Sequence, residues 1–386
     1  MRRGLTIALG SVFVTAVSAI GFAASISRAE GPSDAVAPNG VAALKAVVGD
    51  GFRFRETDHF IIAYDTSYDA LRPLIGRLEG IHDAIRAFVE RGDLGRKEAP
   101  ERLPVLLFDR YDEFARYAAE AGLNGSMAGF YHHRTNIAAF CHTANHPDLR
   151  RIADELDRAR LRVQRLSGAG TASPSAVQQR QELQRMISAL QTQSDAVVRT
   201  FNRFVIQHEA AHQVLFNLGV HVREADNPLW LVEGLACQFE VPQAGHGGVL
   251  RRVNHMRLAD FRDALSMAPG AERVSDEAYK NTVSEGRFLP LTELIADADA
   301  FAANGGNAVF HYAEAWALVF YLHQEHRDAF AGYLRRLSER RRGEFVGRER
   351  VLDEFRAAFG EPDAAFERQW IDRILSLRLD RAEAGR

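Results

Sequence analysis

Cysteine is almost absent: Cys141 and Cys237 are the only two in 386 residues. A disulfide framework is therefore excluded as the source of stability. A single bridge between the two stays open, because export permits it and spacing cannot show proximity. Charge of one sign is lacking as well. The 48 Lys and Arg against 51 Asp and Glu give a net charge of −3, which leaves no basic footprint for nucleic acid. The one arginine-rich stretch, 335–350, is interrupted by Glu339, Glu344 and Glu349 and reads as a solvated helical face. Hydrophobic content of 46% with 26% charged residues is ordinary for a globular protein, and the length suggests one to three domains.

Residues 1–29 read as an export segment rather than as part of the fold. Arg2 and Arg3 form a short basic start, residues 5–26 are apolar and uncharged, and Ser27 and Ala29 offer small residues before a cleavage point at Glu30. An uncleaved anchor is the competing reading, since an apolar stretch from 5 to 26 is long enough to span a bilayer. Either reading puts the bulk of the chain outside the cytoplasm, periplasmic or extracellular, with membrane contact only if the segment is retained. Residues 30–50, with Pro32, Pro38 and several Gly and Ala, look like a flexible lead-in.

From 51 to 145 the pattern alternates. His59–Tyr64 and Leu103–Phe108 read as buried strands, Tyr68–Glu90 and Tyr111–Ala121 as helices, and 128–131 with 137–140 as a hairpin around His132–Asn136. Residues 146–200 differ. Leu149, Ile152, Leu156, Ala159, Val163 and Leu166 follow a heptad seam, Ser167–Gly170 ends that helix, and Ser173–Pro174 opens another. Leu183, Leu190, Val197 and Phe204 then recur every seven residues. The spacing predicts a helical-hairpin insertion, either a structural extension or a partner-binding arm. Residues 201–245 carry the chemistry described next, and 246–386 read as a mostly helical C-terminal half. The expected fold class is α+β, a small mixed sheet with helices.

Inside the run Val205–Leu215 lies His208-Glu209-Ala210-Ala211-His212. On a helix, residues i and i+4 stand on one face, so His208 and His212 can present two imidazoles to one ion. Glu209 is placed to act as general base on a water held there. Apolar flanks (Phe204, Val205, Val214, Leu215) weigh against a surface helix with solvated histidines. Zinc chemistry needs a third ligand and an open fourth position. Gly219 stops the helix and Pro228 restarts another, so an antiparallel return brings Glu233 back beside the ion. Glu224 falls in the connecting loop. Glu240 lies two turns beyond Glu233, about 10 Å along the axis at 1.5 Å per residue, and fits a supporting role; should Glu233 not reach the ion, Glu240 or His132 is the fallback ligand.

The block 208–240, together with Thr57–Tyr64, Pro104–Phe114 with Gly129–Tyr131, and Tyr312–Leu322, resembles the gluzincin-type, peptidase-MA-like zinc metalloproteases of exported, largely uncharacterised families. The resemblance covers most of 55–325 with the hairpin inserted. It implies a zincin-like fold, one zinc per chain on His208, His212 and Glu233, Glu209 as catalytic base, and a peptide lying along an edge strand within 128–140. It also implies that Tyr312 donates a hydrogen bond to the transition state. One position departs from the pattern. The acidic residue expected four places after the glutamate ligand is Cys237, which leaves the orienting of an imidazole to Glu240, or else a weakened site. The expected activity is hydrolysis of peptide bonds in a peptide or protein substrate. Two alternatives remain at this point: a catalytically weak zinc-binding envelope protein acting through the 146–200 hairpin, and a zinc hydrolase of a non-peptide amide.

Overall fold

Among the described residues, five short strands order the first third of the chain. The computed structural model describes residues 40–94, 102–123, 127–168, 174–241, 250–268, 271–302 and 307–378. The export segment read over 1–29, the turn at Asn124–Gly125 and the glycine-containing breaks at 245–248 and 303–306 lie outside the described residues. Among the described residues, no helix is long and apolar enough to cross a membrane.

The strands are β1 (Arg53–Glu56), β2 (Phe60–Tyr64), β3 (Leu103–Phe108), β4 (Gly129–His132) and β5 (Ile137–Cys141), in the order β1-β2-β3-β5-β4. The central three run parallel, and β1 and β4 are antiparallel edges. The unbroken apolar runs of β2 and β3 follow from this placement, because parallel strands are covered on both faces. Helix α2 (Tyr68–Gly92) covers one face, packing Leu71, Leu78 and Ile85 against Phe60, Ile62 and Val105. Helix α3 (Tyr111–Glu120) covers the other with Phe114 and Ala118.

Helix α1 (Gly40–Val48) joins that second face, and here the expectation of a flexible lead-in over 30–50 is corrected for its described part. Val41, Leu44 and Val48 recur at helical spacing, and Leu44 is fully buried against the sheet. Their apolar stripe outweighs the glycines around it. β1 carries no strand signal in sequence: Arg-Phe-Arg-Glu is an exposed edge held by backbone pairing to β2.

The hairpin consists of α4 (Pro147–Gly168) and α5 (Pro174–Asn217). The second arm runs unbroken for 44 residues, about 66 Å at 1.5 Å per residue, so the motif residues sit in its last turns. Among the described residues nine helices follow: α6 (Leu229–Phe239), α7 (His255–Ala264), α8 (Asp276–Ser284), α9 (Leu291–Ala296), α10 (Ala298–Ala302), α11 (Ala308–Glu325), α12 (Arg327–Ser338), α13 (Arg348–Phe359) and α14 (Ala364–Leu375). One apolar cluster runs from the α2 face of the sheet through α5 and α6 to α11 and α14. The architecture is α+β, a small mixed sheet joined to a mostly helical second half.

Candidate metal centre

The end of α5 is pinned to the sheet before any functional group is considered. Gln213 donates from Nε2 to the carbonyls of Pro104 and Asn136, both at 2.8 Å. Asn136 holds a left-handed backbone (φ 59°), which asparagine tolerates. Its side chain accepts from Tyr131 Oη at 3.0 Å and pairs with Asn217, at the end of α5. These bonds satisfy buried polar groups and fix the rotation of α5 about its axis. Gly234 brings α6 onto α11. A Cβ there would lie 2.4 Å from the carbonyl oxygen of Ala315 and 2.6 Å from Val319, so only glycine allows this approach.

Three ligand atoms converge as a result. His208 Nε2 lies 3.1 Å from Glu233 Oε2 and 3.1 Å from His212 Nε2, and His212 Nε2 lies 3.4 Å from the same carboxylate oxygen. A tetrahedral ion with bonds of about 2.0–2.1 Å spaces its ligands about 3.3–3.4 Å apart. All three residues are fully buried, with exposures of 0 to 1%. Glu233 Oε1 is buried and has no hydrogen-bond partner among the described residues. Two imidazole nitrogens facing each other beside a carboxylate with a spare oxygen are costly without a cation. The group can hold a metal ion. Burial opposes ionisation of Glu233, but the neighbouring His212 charge and hydrogen bonds from both imidazoles outweigh it and hold the carboxyl at about 2.

Glu209 turns to the sheet. Its Oε2 accepts the Tyr131 amide of edge strand β4 at 2.9 Å, so the strand aims the carboxylate. Burial pushes its carboxyl up, against the pull of His208 and His212.

Behind the ligands stands a second arrangement. Glu240 Oε1 accepts from His208 Nδ1 at 3.0 Å. That bond keeps a proton on Nδ1, so the nitrogen an ion would take is Nε2, once it gives up the proton it shares with Glu233. Glu240 is held in turn by Arg257, whose Nη2 donates to Oε1 at 2.6 Å and Nε to Oε2 at 3.0 Å, and by Asn254 Nδ2 at 2.7 Å. Burial works against Glu240, yet the Arg257 guanidinium and the His208 contact keep its carboxyl at about 2. Cys237 sits 4.0 Å from His208 Nδ1, and burial raises its thiol to about 11, so it stays neutral. The orienting carboxylate that position 237 lacks is supplied one turn later by Glu240.

Tyr312 stands edge-on to the His208 ring with 5.9 Å between centroids, and the Arg257 guanidinium covers its ring at 5.5 Å. Burial, reinforced by the charges of Glu233 and Glu209, pushes its hydroxyl well above the usual range, so it remains a donor. The other sequence candidates are placed elsewhere. Glu224, in a left-handed turn, pairs with Arg342. His132 bonds Thr135 Oγ1 at 2.9 Å. Cys141 and Cys237 are both free, and Cys141 belongs to the apolar cluster on the α3 face of the sheet. A separate grouping of His59, His82 and Asp83 stacks its two rings at 3.6 Å and 18°, so their in-plane lone pairs run side by side rather than converging.

Arg257, Asn254 and Gln213 carry much of this site and none was a sequence candidate. Gln213 had a signal, a polar residue inside an apolar helix. Arg257 had none, because only folding brings α7 against α6.

A family model described as a protein of unknown function (DUF1570) matches residues 203–342. That span contains His208, His212 and Glu233, with Glu209, Glu240, Arg257 and Tyr312. No curated protein and no solved structure matches the chain.

Proposed function

We propose that the protein is an exported, zinc-dependent peptidase with a zincin-like fold. The observation that carries this reading is the convergence of His208 Nε2, His212 Nε2 and Glu233 Oε2 within 3.1–3.4 Å, with the Glu209 carboxylate held beside them by the Tyr131 amide. Two imidazoles and one carboxylate are the ligand set of hydrolytic zinc sites that keep a fourth position open. Zinc held there would polarise the scissile carbonyl and bring the pKa of water to near neutrality.

The chain's own residues do the rest. Glu209, with its carboxyl raised by burial, takes a proton from the attacking water and returns it to the leaving amine nitrogen. The Tyr131 amide keeps that carboxylate from rotating away. The Tyr312 hydroxyl donates to the oxyanion that develops on the carbonyl. Edge strand β4, which among the described strands pairs with β5 alone, offers the rest of its free side, beyond the Tyr131 amide that Glu209 takes, to an extended peptide. Residues 1–29 supply the export signal, and the substrate is a peptide or protein.

Glu209→Gln tests the chemistry. The variant keeps its zinc, while turnover in a peptide-library digest falls by about 10²–10⁴-fold. Near wild-type cleavage by that variant would remove Glu209 as the base.

A further inference from the structure

Arg257 is buried at 1% exposure, and its guanidinium meets several groups at once. Its Nε and Nη2 grip both oxygens of Glu240 at 3.0 and 2.6 Å, its face lies over Tyr312 at 5.5 Å, and Nη1 lies 3.8 Å from Asp260. The backbone of α7 prepares this position. Asn254 caps the helix by accepting from the Arg257 amide, and its side-chain amide donates both to Glu240 and to the carbonyl of Cys237.

His208 stands between two acidic groups, Glu233 at Nε2 and Glu240 at Nδ1. The groups on the second side, His208, Cys237 and Glu240, are themselves close enough to hold a cation. Arg257 already occupies that role. Formal charge explains why a cation is needed there. Glu209, Glu233 and Glu240 place three carboxyl groups in one buried volume, with Asp260 at its rim beside Arg257, and a divalent ion would offset two of the buried three. Arg257 neutralises the third, and buried charge is tolerated only when paired.

We propose that Arg257 is a positioning residue of the metal centre, setting metal affinity by fixing Glu240 as the acceptor of His208 Nδ1–H. The inference rests on the zinc reading above for the identity of the ion. Arginine is required because the carboxylate is gripped by two donors of one planar fork. A lysine offers a single point charge and cannot hold both oxygens in plane.

Chelator competition on the full mature chain measures the effect as a zinc dissociation constant. Groups that orient a ligating imidazole are worth about 10–100-fold in metal affinity. Glu240→Gln is expected to weaken zinc by that amount, and Arg257→Lys by about tenfold or more. The double variant Glu240→Gln/Arg257→Met removes both partners of the fully buried pair and leaves only the partly exposed Asp260 carboxylate without its guanidinium, which keeps the test available if Arg257→Lys fails to fold. If Arg257 acts through Glu240, the double variant binds zinc no more weakly than Glu240→Gln alone. A residue that merely fills space gives losses that multiply in the double variant, and that result overturns the proposal. Wild-type affinity in Arg257→Lys, or in the double variant, overturns it equally. Failure of the zinc reading looks different: the wild-type chain then holds no zinc that His212→Ala removes.

Discussion

Buried acids in this protein are of two kinds, and the difference lies in their neighbours. Glu233 and Glu240 face imidazoles and a guanidinium, which keep both carboxyls at about 2. Glu314 on α11 is equally buried, but its Oε2 accepts only the Leu289 amide at 2.9 Å and its Oε1 has no partner among the described residues. Burial therefore raises its carboxyl well above the ordinary value, against that one hydrogen bond. A carboxyl raised on folding binds its proton more tightly in the native chain. Its favourable contribution is complete below the unfolded value of about 4.3 and is lost as pH rises toward the folded one. Glu314→Gln keeps the shape and removes that loss. The variant is expected to match the wild type in melting temperature near pH 4 and to exceed it increasingly toward pH 8. A gap that does not change with pH would contradict this assignment of Glu314 as a neutral acid.

At the scale of elements, the site is a consequence of three contacts: α5 on the sheet through Gln213, β4 on Glu209, and α6 on α11 through Gly234. Gly234→Ala strikes the last of these. The added methyl meets a backbone carbonyl that cannot rotate aside, and overpacking of this kind costs about 1–3 kcal/mol. Because Glu233 is the preceding residue, zinc affinity is expected to fall along with thermal stability. A variant with both unchanged would show that the helices have room to separate. The same contacts explain what could be read from sequence. The pair His208 and His212 is legible because helix geometry alone puts i and i+4 on one face. Glu233 is legible because Gly219 and Pro228 punctuate the return. β2, β3 and the β4–β5 hairpin announce themselves as apolar runs between turns. β1 and α1 do not, since an exposed Arg-Phe-Arg-Glu edge and a short stripe of Val41, Leu44 and Val48 acquire meaning only against the sheet. Arg257 belongs to the same class: its partner Glu240 is 17 positions away (257 − 240) across a stretch that no local pattern bridges.

Over the whole molecule, the centre lies on the seam between the sheet layer and the helical half. Glu209 is aimed by a strand from the first, and Glu233 comes from a helix packed on the second. A single apolar cluster spans both, which accounts for stability without disulfides. The two cysteines lie in different clusters and both are free. Charge is concentrated where it is neutralised: three carboxylates, one guanidinium and a site for a divalent ion share the buried seam. The chemistry proposed for this seam therefore depends on that ion. Elemental analysis of purified protein spanning 30–386 should find about one zinc per chain. His208→Ala, His212→Ala and Glu233→Ala should lose most of it, while Glu224→Ala, altered in the loop where its carboxylate pairs with Arg342, should keep it. A wild-type chain without zinc, or zinc content unchanged in the three ligand variants, contradicts the metal centre itself.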